Sequence, residues 1–323
     1  MKILILFVIE MVEIVRYTSD YTGQWDDLVA RSRNGTFLLN RGYMDYHSDR
    51  FSDCSYLIFR KGTLEAVLPG NLSDKSFISH QGLTYGGLIT TGKICTTEVI
   101  EIFNLLNNEL KSIGIQEVIY KPVPLIYHNI PAQEDIYALF LNKAEKIGCN
   151  LSSTIIQGNK MRFIESRKSG IRRSLKEGVQ ISKSDDFSSF WGILEGNLVN
   201  KFNTKPVHSL LEIELLNKRF PENIQLFVAK HKGTTVAGSI LYLMKNILHV
   251  QYISASETGK ETGALDLLFD HLINIEFPHI PVFDFGHSTE EMGKILNENL
   301  IFQKEGFGGR GTVYEIYKYN LYK

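Results

Sequence analysis

One order of elements occurs twice in this chain, and that repetition restricts the available folds more than any single motif does. Residues 55–60 and 64–72 alternate as paired strands, and a Gly-rich third strand spans 76–87. A strongly periodic helix over 99–113 follows, capped by Thr96 or Thr97, with Ile102, Leu105, Leu106 and Leu110 on one face. A strand at 117–120 ends at Pro122 and Pro124, a helix over 135–147 stops at Gly148, and 151–157 is a further strand. In the second half 226–230, 235–243 and 248–254 form a meander with tight connections such as Lys232-Gly233. A helix at 265–276, a strand at 282–285, a helix at 290–298 and a strand at 312–317 complete the same order. The offset is roughly 165 residues, a whole domain rather than a solenoid unit. Helices at 24–32 and 41–47 precede the first meander, and helices at 166–177, 187–201 and 210–219 precede the second. The economical explanation is a duplicated α+β unit with mixed, mostly antiparallel sheets flanked by helices. The expected domains are 11–157 and 158–323, divided near 158–165.

Length and composition agree. A chain of 323 residues suits about two domains, and 43% hydrophobic residues can bury a full core. Lys+Arg is 35 and Asp+Glu is 36, a net charge of −1, which argues against a general DNA or RNA binder. Cys54, Cys95 and Cys149 lie far apart without a CxxC pair. They support neither a disulfide framework nor a zinc site, and they fit a reducing cytoplasm. At the N-terminus Ile3 to Ile9 looks like a short signal-peptide core, but Glu10 and Glu13 interrupt it and no cleavage site follows. The run is far below the ~18 apolar residues of a membrane helix. The expectation is a first strand at 12–17, with the start at either Met1 or Met11 and no membrane span.

Several motifs go further. They are Tyr46-His47-Ser48-Asp49-Arg50-Phe51-Ser52-Asp53, the run from Ser79 through His80 and Tyr85 to Gly87, Phe283-Asp284-Phe285-Gly286-His287-Ser288-Thr289, and Lys304-Glu305-Gly306-Phe307-Gly308. With the element order, they resemble the FemAB-like group of tandem GNAT-fold proteins. That group includes peptidoglycan aminoacyltransferases and surface-polysaccharide acyltransferases. The DFG tripeptide also occurs in kinases, but no HRD, VAIK-type lysine or glycine loop stands here in kinase order.

The resemblance implies an acyltransferase and gives Lys304 the role of stabilising charge that develops on a carbonyl oxygen. Asp284 and His287 flank a strand end where GNAT-like folds splay; either can handle the proton of an incoming amine. Ser288, Phe307 and Gly308 belong to the same motifs and are expected to bind substrate. In the first half His80, Tyr85 and Gly86 can line a substrate cleft. Asp45-x-His47-x-Asp49 invites a metal, but alternate spacing on a helix scatters the ligands, and no metal is expected. Arg172 and Arg173 sit on a basic helix that also carries Lys168 and Lys176, suited to phosphates of a nucleotide sugar, CoA or a tRNA end. Acetyl-CoA-dependent GNATs hold pyrophosphate on an R/Q-x-x-G-x-G/A loop. The corresponding stretch here keeps Lys260, Gly263 and Ala264 but adds Glu257 and Glu261. The expected reaction is acyl transfer to an amine of a cell-envelope amino sugar or peptidoglycan precursor, with acyl-CoA slightly favoured as donor. The alternatives are an aminoacyl-tRNA-dependent transferase and a non-catalytic GNAT-like binding protein.

Overall fold

Two Lys-Gly turns organise the two halves. Lys61 and Gly62 both take positive φ (51° and 73°), as a two-residue hairpin turn requires, and join strand Tyr56–Arg60 to Thr63–Leu68. Lys232 and Gly233 (51° and 80°) do the same between Ile224–His231 and Thr234–Leu243. The computed structural model describes residues 12–202 and 204–322. The signal-like stretch and both candidate starts, Met1 and Met11, therefore lie outside the described residues. The strand expected next to them is present as Val12–Arg16.

The chain divides into two compact units. One holds the described residues up to Gly148 and those from Tyr314 onward; the other is Cys149–Val313. The observed division precedes the expected one at 157/158, and the C-terminal residues return to the first unit. Both crossings fall inside strands, Glu145–Ile156 and Arg310–Asn320, so no linker composition marks them.

In the first unit Val12–Arg16, Tyr56–Arg60, Thr63–Leu68 and Ile89–Thr90 form an antiparallel sheet. Helix Thr96–Ser112 then carries the chain to Glu117–Tyr120, which runs parallel to Ser76–Ile78. The helix buries Val99, Ile102, Phe103, Leu106 and Leu110, one stripe of a 3.6-residue period. Its cap is Cys95, whose N–H donates to Glu98 Oε2 at 2.8 Å, one residue before the expected threonines. In the second unit the meander Ile224–His231, Thr234–Leu243 and Ile247–Ala255 is antiparallel. Helices Glu257–Thr262 and Ala264–His271 lead to Val282–His287, parallel to Ile247–Ala255. Its core is rich in phenylalanine (Phe227, Phe269, Phe277, Phe283, Phe285, Phe307).

Four expectations need correction. The third strand stops at Ile78, because His80 enters the left-handed region (φ 59°) and the glycine-rich run leaves the sheet. The helix expected over 135–147 ends at Leu141. There Lys143 turns left-handed (φ 55°), and the Ala144 and Lys143 N–H groups return to the Leu139 and Phe140 carbonyls, a Schellman-type stop. Gly148 lies inside the following strand. The late helix is Glu298–Gly306 rather than 290–298. Glu291, Met292 and Gly293 all have positive φ, and Asn297 caps the true start by accepting from Leu300 N–H at 3.1 Å. Strand Gln180–Ser184 is an addition, since its polar alternation hides it. No described helix is long and apolar enough to cross a membrane.

Candidate functional site

Strands Ile247–Ala255 and Val282–His287 stay paired for only three positions, ending at His249 opposite Asp284, and then part. On its other side Val282–His287 pairs with residues 152–156, and that ladder slips between Asp284 and His287. Gly286 sits in the slip with φ 73°, where a Cβ would also come within 3.1 Å of His249 Cε1. Only glycine meets both conditions without strain. Irregular strand of this kind re-aims the side chains on either side of it.

Those side chains form one buried cluster. Asp284 is wholly buried. Its Oδ1 accepts from Ser152 Oγ, from Gly286 N–H at 3.2 Å and from Thr154 Oγ1 at 3.4 Å. Its Oδ2 lies 2.8 Å from His249 Nδ1. A carboxylate only accepts, so His249 Nδ1 carries the proton of this bond. The His249 side chain is 12% exposed. Lys304, on helix Glu298–Gly306, is 5% exposed and donates to the Gly286 and His287 carbonyls at 2.8 and 2.7 Å. Burial pulls its pKa down to about 8, opposed by Asp284. An ammonium has three donors, so one remains for a developing oxyanion. Burial, then the charges of His249 and Lys304, pushes His287 down to about 4, leaving its imidazole neutral near pH 7. Ser288 Oγ is buried without a hydrogen-bond partner among the described residues. Asp284, His287, Ser288 and Lys304 are thus brought together. Asp284 is too enclosed to touch an amine and serves to position His249.

Other expected positions have different surroundings. Phe307 is fully buried among Phe269, Phe285 and Phe163, with ring centroids 5.3–5.9 Å apart. Gly308 packs on the Met161 carbonyl. Phe307 fills the wedge between the parting strands, and Gly308 serves a close backbone approach to Met161. The hollow beside Val250, Phe285 and Lys304 is about 10 Å³, room for no more than a water. Lys260, Gly263 and Ala264 do not form a pyrophosphate cradle. The Gly259 and Lys260 N–H groups donate to Ser256 Oγ and Ser256 O, Gly263 N–H to Lys260 O, and the Lys260 ammonium pairs with Glu257. Gly263 lies against the Gly170 backbone, where an added Cβ would stand 2.6 Å from the Gly170 carbonyl oxygen. The Gly259, Lys260 and Gly263 amides are thus already engaged within the chain and cannot hold an anion. Arg172 and Arg173 are exposed on helix Glu165–Lys176, with Arg172 paired to Glu165.

In the first unit, His80 is 5% exposed, and its Nδ1 has no hydrogen-bond partner among the described residues. Burial, His47 and Lys121 push its pKa down to about 3. Tyr85 is buried with its hydroxyl 3.0 Å from Thr36 Oγ1, and Gly86 sits where a Cβ would lie 2.1 Å from the Ser79 carbonyl oxygen. Both hold loops together rather than face a cavity.

Sequence reading missed His249, Ser152 and Thr154. The signal was available: a histidine at an inward position of a meander strand whose neighbour carries Asp284.

No protein-family model matches the sequence, and no curated protein matches it. Solved structures do. FemX superposes with a TM-score of 0.69 at 10% identity, covering 95% of this chain and 97% of that one. L-PGS from Bacillus licheniformis gives 0.62 at 10% identity over 94% and 91%. A tandem GNAT protein from the clavulanic acid biosynthesis pathway gives 0.52 at 10% identity over 97% and 99%. The fold is therefore α+β and tandem GNAT-like.

Proposed function

We propose that this chain is an N-acyltransferase of the aminoacyl-transferring kind, which takes its acyl group as an ester from charged tRNA. The acceptor is an amine on an amino-sugar or peptidoglycan precursor of the cell envelope. The observation that carries the reading is the His249–Asp284 pair beside the buried Lys304 ammonium, at the point where two strands part. The amine nitrogen attacks the ester carbonyl, forming the C–N bond. His249 Nε2, oriented by Asp284, takes the amine proton. The third Lys304 N–H meets the oxygen as it gains charge, and collapse breaks the C–O bond with the proton passing to the leaving hydroxyl. The neighbours named FemX and lysylphosphatidylglycerol synthetase support a transferase of this kind. The engaged amides of Gly259, Lys260 and Gly263 favour tRNA over acyl-CoA, and the exposed Lys168, Arg172, Arg173 and Lys176 offer a surface for its phosphates.

Purified protein incubated separately with charged tRNA and with acyl-CoAs, glucosamine serving as amine, tests this by mass spectrometry. Charged tRNA should be consumed with formation of an amide. Arg172→Glu/Arg173→Glu should lose tRNA retention with the fold intact. Consumption of an acyl-CoA instead overturns the donor, and consumption of neither overturns the transferase.

A further inference from the structure

Helix Thr96–Ser112 carries Asn104, Asn107, Asn108 and Lys111 at i, i+3, i+4 and i+7, one continuous face. Asparagine is a poor choice there, because its side chain competes with the helix for backbone hydrogen bonds. None of these three asparagines caps an end, and Asn104 and Asn108 make no side-chain hydrogen bond among the described residues. Asn104 and Asn108 break local preference without structural return, and that points to a ligand.

The same face borders an open cleft of about 360 Å³ in the first unit, within the roughly 300–1,000 Å³ usual for small-ligand sites. Its floor is a wired row of polar groups. Tyr319 Oη donates to Asn107 Oδ1 at 2.8 Å, Asn107 Nδ2 to Asn142 Oδ1 at 2.8 Å, and Asn142 Nδ2 to the Ala138 carbonyl at 2.8 Å. Each amide is thereby fixed in orientation, with one N–H and one lone pair left over. Lys111 and Lys143 flank the cleft, and no Asp or Glu among the described residues lines it. A second hollow of about 290 Å³ beyond Asn142, Lys143 and Tyr319 is lined by Glu117 and Glu145, so the groove open to an anion ends at Lys143. Leu141 and Leu321 are the cleft's aliphatic lining, too little for a lipid chain or a nucleobase.

From this geometry we infer that the groove is a binding site for an acidic oligosaccharide. Oriented amides match the paired donor and acceptor of neighbouring sugar hydroxyls, and the two lysines match a carboxylate. The inference stands apart from the transferase chemistry, so Lys304→Met should bind as the wild type does, and loss of catalysis would leave it untouched.

The test is calorimetric titration of the full chain with trigalacturonate, maltotriose and inorganic phosphate. Trigalacturonate should bind at least about tenfold tighter than either of the others. Lys111→Ala/Lys143→Ala should remove that preference for charge. Asn104→Ala/Asn108→Ala should weaken binding by about tenfold, one or two hydrogen bonds' worth, with Tm unchanged or raised because alanine is the better helix former. Equal binding of phosphate and trigalacturonate would reduce the groove to plain anion attraction and overturn the inference. So would absence of saccharide binding, or binding that both double variants leave intact.

Discussion

Each unit sets a buried histidine near a lysine beside an irregular stretch of backbone, yet the two arrangements differ in one respect. In the first unit the Lys121 ammonium donates to the Gln81 and Leu83 carbonyls, next to His80. In the second, Lys304 donates to the Gly286 and His287 carbonyls. Both lysines are drawn down to about 8 by burial. Only the second cluster adds a carboxylate within bonding distance of an imidazole. Asp53, whose charge His80 feels, is taken up by Arg41 Nη2 and Ser55 Oγ, each at 2.9 Å. The lysine–carbonyl clamp holds a loop in both units, and under the proposed function the oriented base is what turns the second clamp into a site.

The comparison breaks most sharply at the histidines. His249→Ala should lower kcat/KM by about a hundred- to ten-thousand-fold, the range for losing a general base. His80→Asn, chosen because asparagine tolerates the left-handed region, should leave kcat/KM within about twofold. Equal effects would erase the distinction between the clusters. Asp284→Asn should act through His249, lowering the rate by a factor that is not additive with that of His249→Ala.

The lysines come next. Lys304→Met should cost about a hundred- to thousand-fold in kcat. Lys121→Met should leave kcat unchanged and cost about 1–3 kcal/mol of stability through its orphaned carbonyls. Wild-type activity should fall as pH rises through about 8, where Lys304 loses its charge, and Lys304→Arg should abolish that limb.

Acid stability should report both clusters. His80 and His287 are held neutral, near 3 and 4, against an ordinary 6.5. The unfolded chain therefore takes up protons first. Their contribution is complete above pH 6.5 and is lost as pH falls toward 4 and 3, on the order of 3 kcal/mol each. Denaturant midpoints measured from pH 7 to 4 should drop, and His80→Asn or His287→Phe should flatten the curve.

The smallest effects belong to the glycines. Gly286→Ala should cost about 1–2 kcal/mol from its left-handed backbone and reduce activity by displacing His249. Gly82→Ala, whose Cβ would lie 2.1 Å from His47 Nε2, should destabilise without touching kcat.

The sequence made the duplicated order legible because it rests on strong local signals: the stripe of Val99 to Leu110, the Lys232-Gly233 turn, and alternating strands. Asp284 and Lys304 were legible only through motif resemblance. What stayed hidden depended on pairing across the chain. His249 gains meaning from its register with Asp284, and Ser152 and Thr154 from an antiparallel partner some 130 residues away. Tertiary backbone also overrode local pattern. Left-handed Lys143 stopped a helix that apolar spacing extended, and left-handed Glu291 and Met292 delayed the helix that carries Lys304. The glycine-bearing stretch 256–264 reads as a loop, yet the Ser256 cap makes Glu257–Thr262 a helix and engages the Gly259, Lys260 and Gly263 amides.

Chemical rescue of His249→Gly tests the central claim most directly. Single-turnover transfer from charged tRNA should collapse in the variant and recover in part when imidazole is added. An undiminished rate in His249→Gly would contradict the account.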